Sequence, residues 1–410
     1  MHVKRNTALS FLLVISIFIL LITACGTPAS TPSTPAPTAT IMPTVAPKST
    51  DANVAPTKAP VPNIPDYRGL TVSPVSPTTF AYFSNVDGQD AIYLENFGKP
   101  LPTLHGERLT QGEYRINHGD FDTLQWSGDG KYLAFVNDIK TSGTQVCYIV
   151  IAEKSTNCVE ITDQLYVQTG IAFHNDTLAF EGQKKDSDAL DGQIYTLNVV
   201  TGKLSQFTTD GEGYWDPQWS SDGNYLAATQ SRKDESSDIV VFTRNGKKVA
   251  TLENSIYSTW QPGTHMLAYN HNFVNEYPQV TAPFWLYDLN AGKSSAVKAI
   301  DFSVEDMAWS PDGSKIAFDS ISGMAGDYVY DLKSQSLAEV IKPLNQAPNT
   351  LYGGSQYSNA YNPVWLSSVA IAWTNNNDLF LPGPDSEVSF QEITLVGLTP
   401  SGSIVTTLTP

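Results

Sequence analysis

Short runs in which apolar and polar residues alternate, each closed by Gly, Asp, Asn or Ser, fill this chain from about residue 66 to its end. Ile194-Tyr195-Thr196-Leu197-Asn198 leads through Thr201-Gly202-Lys203 to Leu204-Ser205-Gln206-Phe207-Thr208. Trp285-Leu286-Tyr287-Asp288-Leu289 precedes Asn290-Ala291-Gly292-Lys293, and Tyr148-Ile149-Val150-Ile151-Ala152 follows the same plan. Alternation with turn residues at the ends predicts half-buried antiparallel strands. No segment after residue 24 keeps the periodicity of an amphipathic helix.

The strands come in a repeat. Trp309-Ser310-Pro311-Asp312-Gly313-Ser314-Lys315-Ile316-Ala317-Phe318 is matched by Trp126-Ser127-Gly128-Asp129-Gly130 running into Leu133-Ala134-Phe135, and by Trp219-Ser220-Ser221-Asp222-Gly223 running into Leu226-Ala227-Ala228. Weaker copies carry Ala81, Ala179, Ala268 and Ala372 at the central position. The seven alanines recur at roughly 48 residues on average, the period of propeller blades. Ser-Pro-Asp-Gly fits a type I turn. The Trp before it is a wedge for packing between sheets. The small residue inside each triplet suits a close approach of neighbouring backbone. With the strand that carries the Trp, each unit has four short strands, and such sheets in series close into a propeller.

These residues resemble the PD40 (WD40-like) repeat of TolB-type propellers over residues 66–410. The resemblance implies an all-β propeller of four-stranded antiparallel blades. Seven blades are favoured by the seven triplets, while the six of typical TolB-type domains stay open. It also implies a module that binds protein partners of the cell envelope across its loop face, without naming one.

Ahead of the repeats lie two other segments. Residues 1–24 combine Lys4 and Arg5 with an apolar stretch, Ala8 to Ile22, too short for the ~30 Å hydrocarbon core at ~1.5 Å per helical residue. They end in Ile22-Thr23-Ala24-Cys25, which resembles a bacterial lipobox. The resemblance implies cleavage before Cys25, its lipidation, and an extracytoplasmic protein held to the membrane by acyl chains. Residues 25–65, rich in Thr, Pro and Ala, cannot bury a core and are expected to form an extended stalk. Cys147 and Cys158 flank the segment Glu153-Lys154-Ser155-Thr156, read here as a turn. An oxidising compartment permits a disulfide, but that register sets the two diagonally, so the pairing stays open.

Charge narrows the partners. The sequence holds 24 Lys and Arg against 41 Asp and Glu, a net of −17; without residues 1–24 the balance is 22 against 41, or −19. A domain of that sign repels phosphate backbones, which argues against nucleic acid.

Signatures of catalysis are scarce. There is no G-x-S-x-G elbow, and Gly353-Gly354-Ser355-Gln356-Tyr357 lacks the final Gly. His2, His105, His118, His174, His265 and His271 form no metal-binding spacing, and Asp186-Ser187-Asp188-Ala189-Leu190-Asp191-Gly192 lacks the bidentate Glu of a calcium loop. No cofactor, metal or catalytic residue is expected. Aromatic residues in the loops entering the blades, Tyr114, Tyr214, Trp215, Tyr352, Tyr357 and Tyr361, are the candidate contacts with a protein or glycan. The expectation is therefore a non-catalytic interaction or scaffolding module. Glycan or cell-wall-fragment binding is the first alternative. A lyase- or hydrolase-type enzyme working in the central channel, with inward His, Tyr and acid side chains, is the second.

Overall fold

A computed structural model describes residues 67–96, 106–111, 114, 124–139, 143–159, 165–184, 192–234, 236–271, 284–302, 304–320, 326–342, 344–348, 355–380, 387–399 and 402–408. Cys25 and the expected stalk therefore lie outside the described residues. The chain forms an all-β, seven-bladed propeller of antiparallel sheets, with no helix among the described residues. Each blade takes its strands from one unbroken stretch of chain, and blades one and seven exchange no strand. Seven triplets thus make seven blades. Six sheets have four strands; the seventh gains an extra strand, Leu344–Pro348, beside its long innermost strand Ser355–Ser367.

The repeat phrase builds the same corner wherever it is complete. Ser127, Ser220 and Ser310 accept at their carbonyls from the amides of Gly130, Gly223 and Gly313, each 2.8 Å away. Their hydroxyls donate to Asp129, Asp222 and Asp312 at 2.7–2.8 Å and accept the amide that opens the second strand. The three glycines hold φ of 66–69°, the left-handed region that excludes most side chains.

The core lies between the blades. The apolar clusters divide into seven, one at each seam, and each of the seven repeat alanines lies fully buried in a different cluster, facing the following blade. Against four of these alanines the following blade lays its Trp. Trp126 packs with Ala81, Trp260 with Ala227, Trp309 with Ala268, and Trp365 with Ala317. The small residue is thus required by the neighbour's indole, rather than by approaching backbone as the sequence suggested. The indole N–H then reaches back across the seam to a carbonyl on the preceding blade's innermost strand. Trp126 donates to Thr71 at 3.3 Å, Trp260 to Gln218 at 3.1 Å, Trp309 to Thr259 at 3.2 Å and Trp365 to Ala308 at 2.9 Å. Three of these acceptors immediately precede a Trp of their own, so the contact is handed from blade to blade.

Trp219 is the exception. It follows blade three, where Phe173 fills the Trp slot, and its buried Nε1 has no hydrogen-bond partner. Phe207 meets its ring edge-on at 6.2 Å, and the Arg244 guanidinium lies 5.8 Å above it. Ring closure between blades seven and one rests on side chains: Tyr67, Leu70, Phe80, Tyr82, Ala91 and Tyr93 pack with Ala372 and Ile393.

Cys147 and Cys158 stand directly opposite on adjacent strands, Cα atoms 4.0 Å apart, and are disulfide-bonded. The diagonal register expected from sequence is corrected here: Val150 pairs with Ser155, so the turn is Ile151 to Lys154, two residues earlier than the acidic segment suggested.

The indole chain gives a paired test. Trp260→Phe orphans the Gln218 carbonyl, whereas Trp219→Phe removes an N–H that already lacks a partner. Equilibrium urea unfolding is expected to show Trp260→Phe more destabilising than Trp219→Phe by about 1 kcal/mol or more.

Candidate functional site

Counting back from the Trp slot of each blade reveals a second repeat that the forward phrase hides. Three residues before it, the innermost strand turns left-handed: Gly69 (φ 60°), Gly170 (58°), Asp216 (50°), Tyr257 (51°) and Asp306 (42°). At each of these positions the pairing with the neighbouring strand slips, which is the mark of a β-bulge. The same slip occurs in blade seven between Tyr361 and Val364. The bulges turn backbone and side chains toward the axis, where all seven innermost strands enclose a channel of about 290 Å³.

Glycine adopts a left-handed conformation freely, while another residue there is strained by roughly 1–2 kcal/mol. Blades one and three use glycine. In blade three the reason is visible: a Cβ on Gly170 would lie 3.1 Å from the Cα of Asp216. Blades four, five and six, which are consecutive, place Asp216, Tyr257 and Asp306 there instead. Strain retained in three adjacent copies of one position, all on the channel wall, marks a site whose side chains matter.

Asp216 is the most perturbed of the three. It is 9 % exposed, and its Oδ1 accepts from the Gln218 amide at 3.1 Å. Burial pushes its carboxyl up to about 6, against the Gln218 bond that favours the charged form. A carboxylic acid with that affinity for a proton can give one up or take one near neutral pH. The rest of the described wall is polar and uncharged or apolar: Thr71, Gln125, Gln218 and Ser258 among Leu70, Leu124, Met307 and Trp365. It contains no Lys, Arg or His.

The aromatic residues singled out from sequence sit elsewhere. Tyr114 packs edge-on to Phe135, ring centroids 5.4 Å apart, at the seam of blades one and two. Tyr214 is buried, donates to Asp210 at 2.9 Å and carries the Lys248 ammonium 5.3 Å from its ring centroid. Burial, with Asp210 adding to it, pushes its hydroxyl up to about 12. Trp215 is half-buried in the same strand. None of these three lines the channel. Tyr352 lies outside the described residues. Tyr357 and Tyr361 fall in the innermost strand of blade seven, opposite Asp378 and Thr374, so the segment from Leu344 to Asn362 is largely strand rather than the long loop expected. Asp216, Tyr257 and Asp306 were not singled out, because the repeat was aligned forward from the Trp. The missing signal is the residue three places before it.

Solved structures resemble this chain at the level of fold. An oligogalacturonate lyase in complex with manganese matches with a TM-score of 0.57 at 13 % identity, over 81 % of this chain and 88 % of that one. A puromycin-hydrolyzing peptidase of Mycobacterium tuberculosis matches with 0.56 at 12 %, over 83 % of this chain and 53 % of that longer one. The β-propeller domain of the Trilobed protease from Pyrococcus furiosus gives 0.56 at 11 %, over 85 % and 99 %. No family model and no curated protein matches. At these identities the likeness shows the propeller fold alone. It nonetheless corrects the expectation of a non-catalytic interaction or scaffolding module that is not an enzyme, since propellers of this shape belong to a lyase and to peptidases. The physical reason lies in the channel, whose titratable side chains the loop-centred reading passed over.

The manganese in the lyase structure invites a comparison of donor sets. Among the described residues no group of three or more His, Cys, Asp and Glu gathers to hold a metal. The channel wall supplies Asp216 and Asp306 without a histidine. This set does not fit a resident metal, and no step below passes through one.

Asp216 also sets a pH signature. Its folded proton affinity exceeds the ordinary carboxylate value of 3.8, so the fold binds more protons than the unfolded chain between about pH 4 and 6. Stability from this group is present in acid and falls as pH rises through that window. Relative to Asp216→Asn, the wild type is expected to lose about 3 kcal/mol between pH 4 and 7, read from paired urea titrations.

Proposed function

We propose that the protein is a hydrolase-type enzyme working in the central channel, with Asp216 as its proton donor and Asp306 as the second carboxylate. The observation that carries this is the strained placement of Asp216, Tyr257 and Asp306 by three consecutive blades, with one carboxyl raised and held by burial. Two carboxyl groups in distinct surroundings divide the work of glycoside hydrolysis: one protonates the leaving oxygen while the other attacks or activates water. Tyr257, between them in blade order, is suited to hydrogen-bond the sugar ring. The substrate class follows from the wall. With no Lys, Arg or His described there, an anionic uronate chain would meet carboxylates without a counter-charge, so a neutral glycan is favoured over the acidic substrate named for the lyase. Hydrolysis is favoured over elimination for the same reason, since β-elimination beside a uronate gains from a cation at the carboxylate.

The test is an assay of purified protein against neutral oligosaccharides, followed by new reducing ends, with polygalacturonate as contrast. Neutral glycans are expected to be cleaved with a pH profile whose limb lies near 6, and both Asp216→Asn and Asp306→Asn are expected to lose roughly 100-fold or more in kcat. Activity unchanged in both variants, or unsaturated products from polygalacturonate, refutes the reading.

The repeat phrase supports the finer proposal of a PD40-type propeller lipoprotein. The Ile22-Thr23-Ala24-Cys25 sequence supports acylation at Cys25, and a Thr-, Pro- and Ala-rich 25–65 suits a spacer between membrane and channel in the bacterial envelope. In a bacterial host fed labelled palmitate, label is expected in the wild type and absent from Cys25→Ser, which moves from the membrane pellet to the supernatant.

A further inference from the structure

Blade six breaks the apolar pattern at one seam position. The third-strand residue lying opposite the second-strand position after the repeat triplet is Ile92, Val146, Ile194, Ile239, Phe284 or Ile393 in the other six blades, fully buried every time. In blade six it is Asp327, 2 % exposed and directly opposite Asp319 on the second strand. Asp319 is itself buried. The Oδ1 of Asp327 is buried with no hydrogen-bond partner.

The surroundings offer no cation to this carboxyl. Glu305 stands opposite Asp319 on the innermost strand, and Glu339 acts on Asp327 from the outermost strand. Lys342 is paired with Glu339 at 3.5 Å. Residues 321–325 between the two Asp-bearing strands carry no charge, and the blade-seven strand packed on blade six, Ser355–Ser367, has Tyr357 and Tyr361 as its only titratable side chains.

We propose that Asp319 and Asp327 hold one proton between them, and that this shared proton latches blade six to blade seven until alkaline pH removes it. Opposed like charges on adjacent strands are destabilising, and two carboxylates sharing a site do not ionise together readily. Burial first, and the Glu339 carboxylate second, push Asp327 up to about 8. The fold therefore keeps a proton that the unfolded chain has released. Seam stability is greatest in acid, falls as pH rises from about 4 to about 8, and levels beyond. When the proton leaves to solvent, the two carboxylates repel across the seam. Glu305, opposite Asp319, immediately precedes Asp306, so the loosening reaches the channel wall.

Asp327→Ile restores the residue type of the other blades, and Asp327→Asn keeps the shape without the titration. Thermal unfolding is read from about pH 5 to about pH 9. The midpoint of Asp327→Ile is expected to exceed that of the wild type by a margin that widens up to about pH 8 and is constant above it, with Asp327→Asn showing the same trend at smaller size. Amide exchange in residues 315–320 and 326–331, corrected for intrinsic rates, is expected to be faster in the wild type than in both variants at the alkaline end. A margin independent of pH, or an Asp327→Ile protein less stable than wild type at about pH 8, overturns the latch. So does a drop in wild-type midpoint on adding EDTA that both variants lack, since that would make a bound cation the partner.

Discussion

An indole laid over an alanine of the blade before it is the contact on which this ring depends. The alanine must be small because the neighbour's ring occupies the space a larger side chain would take. The indole must be Trp rather than Phe because its N–H closes a bond to the preceding blade's innermost strand at four of the seam positions. One contact thus joins packing, which excludes water from the seam, to a directional bond, which fixes the height of one blade against the next. Repeated around the axis, it makes the seams, rather than the interiors of single sheets, the hydrophobic core.

That arrangement leaves the innermost strands in an unusual position. Their outer neighbours fix them by pairing, and their seam faces are fixed by the indoles, yet their edges meet no further strand at the axis. The bulge resolves this by turning the chain toward the channel. Glycine answers the backbone requirement at no steric cost in blades one and three. The carboxylates and the phenol of blades four to six answer a chemical one, with burial raising the proton affinity of Asp216 as a consequence of the same geometry. Stability and reactivity are therefore set by neighbouring residues on one strand, three positions apart.

Much of the fold could be read from the chain because its determinants are local. Ser-x-Asp-Gly closes a turn by itself, and the Leu-Ala-Phe type of triplet alternates as a strand must. The site was less legible because its determinant is a backbone conformation. Nothing in Gly213-Tyr214-Trp215-Asp216 announces that Asp216, rather than the conspicuous aromatics before it, turns toward the axis. Tyr214 is large and apolar enough to be drawn into a seam, and Tyr114 likewise. The segment Ser355–Tyr361 looked like a loop for its Ser and Asn content, although its alternation supports a strand once a partner is beside it. The cysteine register was misplaced by two residues because Ser155 and Thr156, read as turn residues, are already paired. In each case tertiary partners decided what composition left open.

The contiguity of each sheet has a consequence for how such a chain can change. Because no sheet borrows a strand from a distant part of the sequence, the order of the blades around the axis and their order along the chain are the same list. The ring can in principle be opened at any connection between blades and rejoined across the seam of Tyr67 and Ile393, giving a circular permutant in which every sheet keeps its own strands. The gain or loss of a whole unit by gene duplication would likewise require only that a new indole find an alanine waiting.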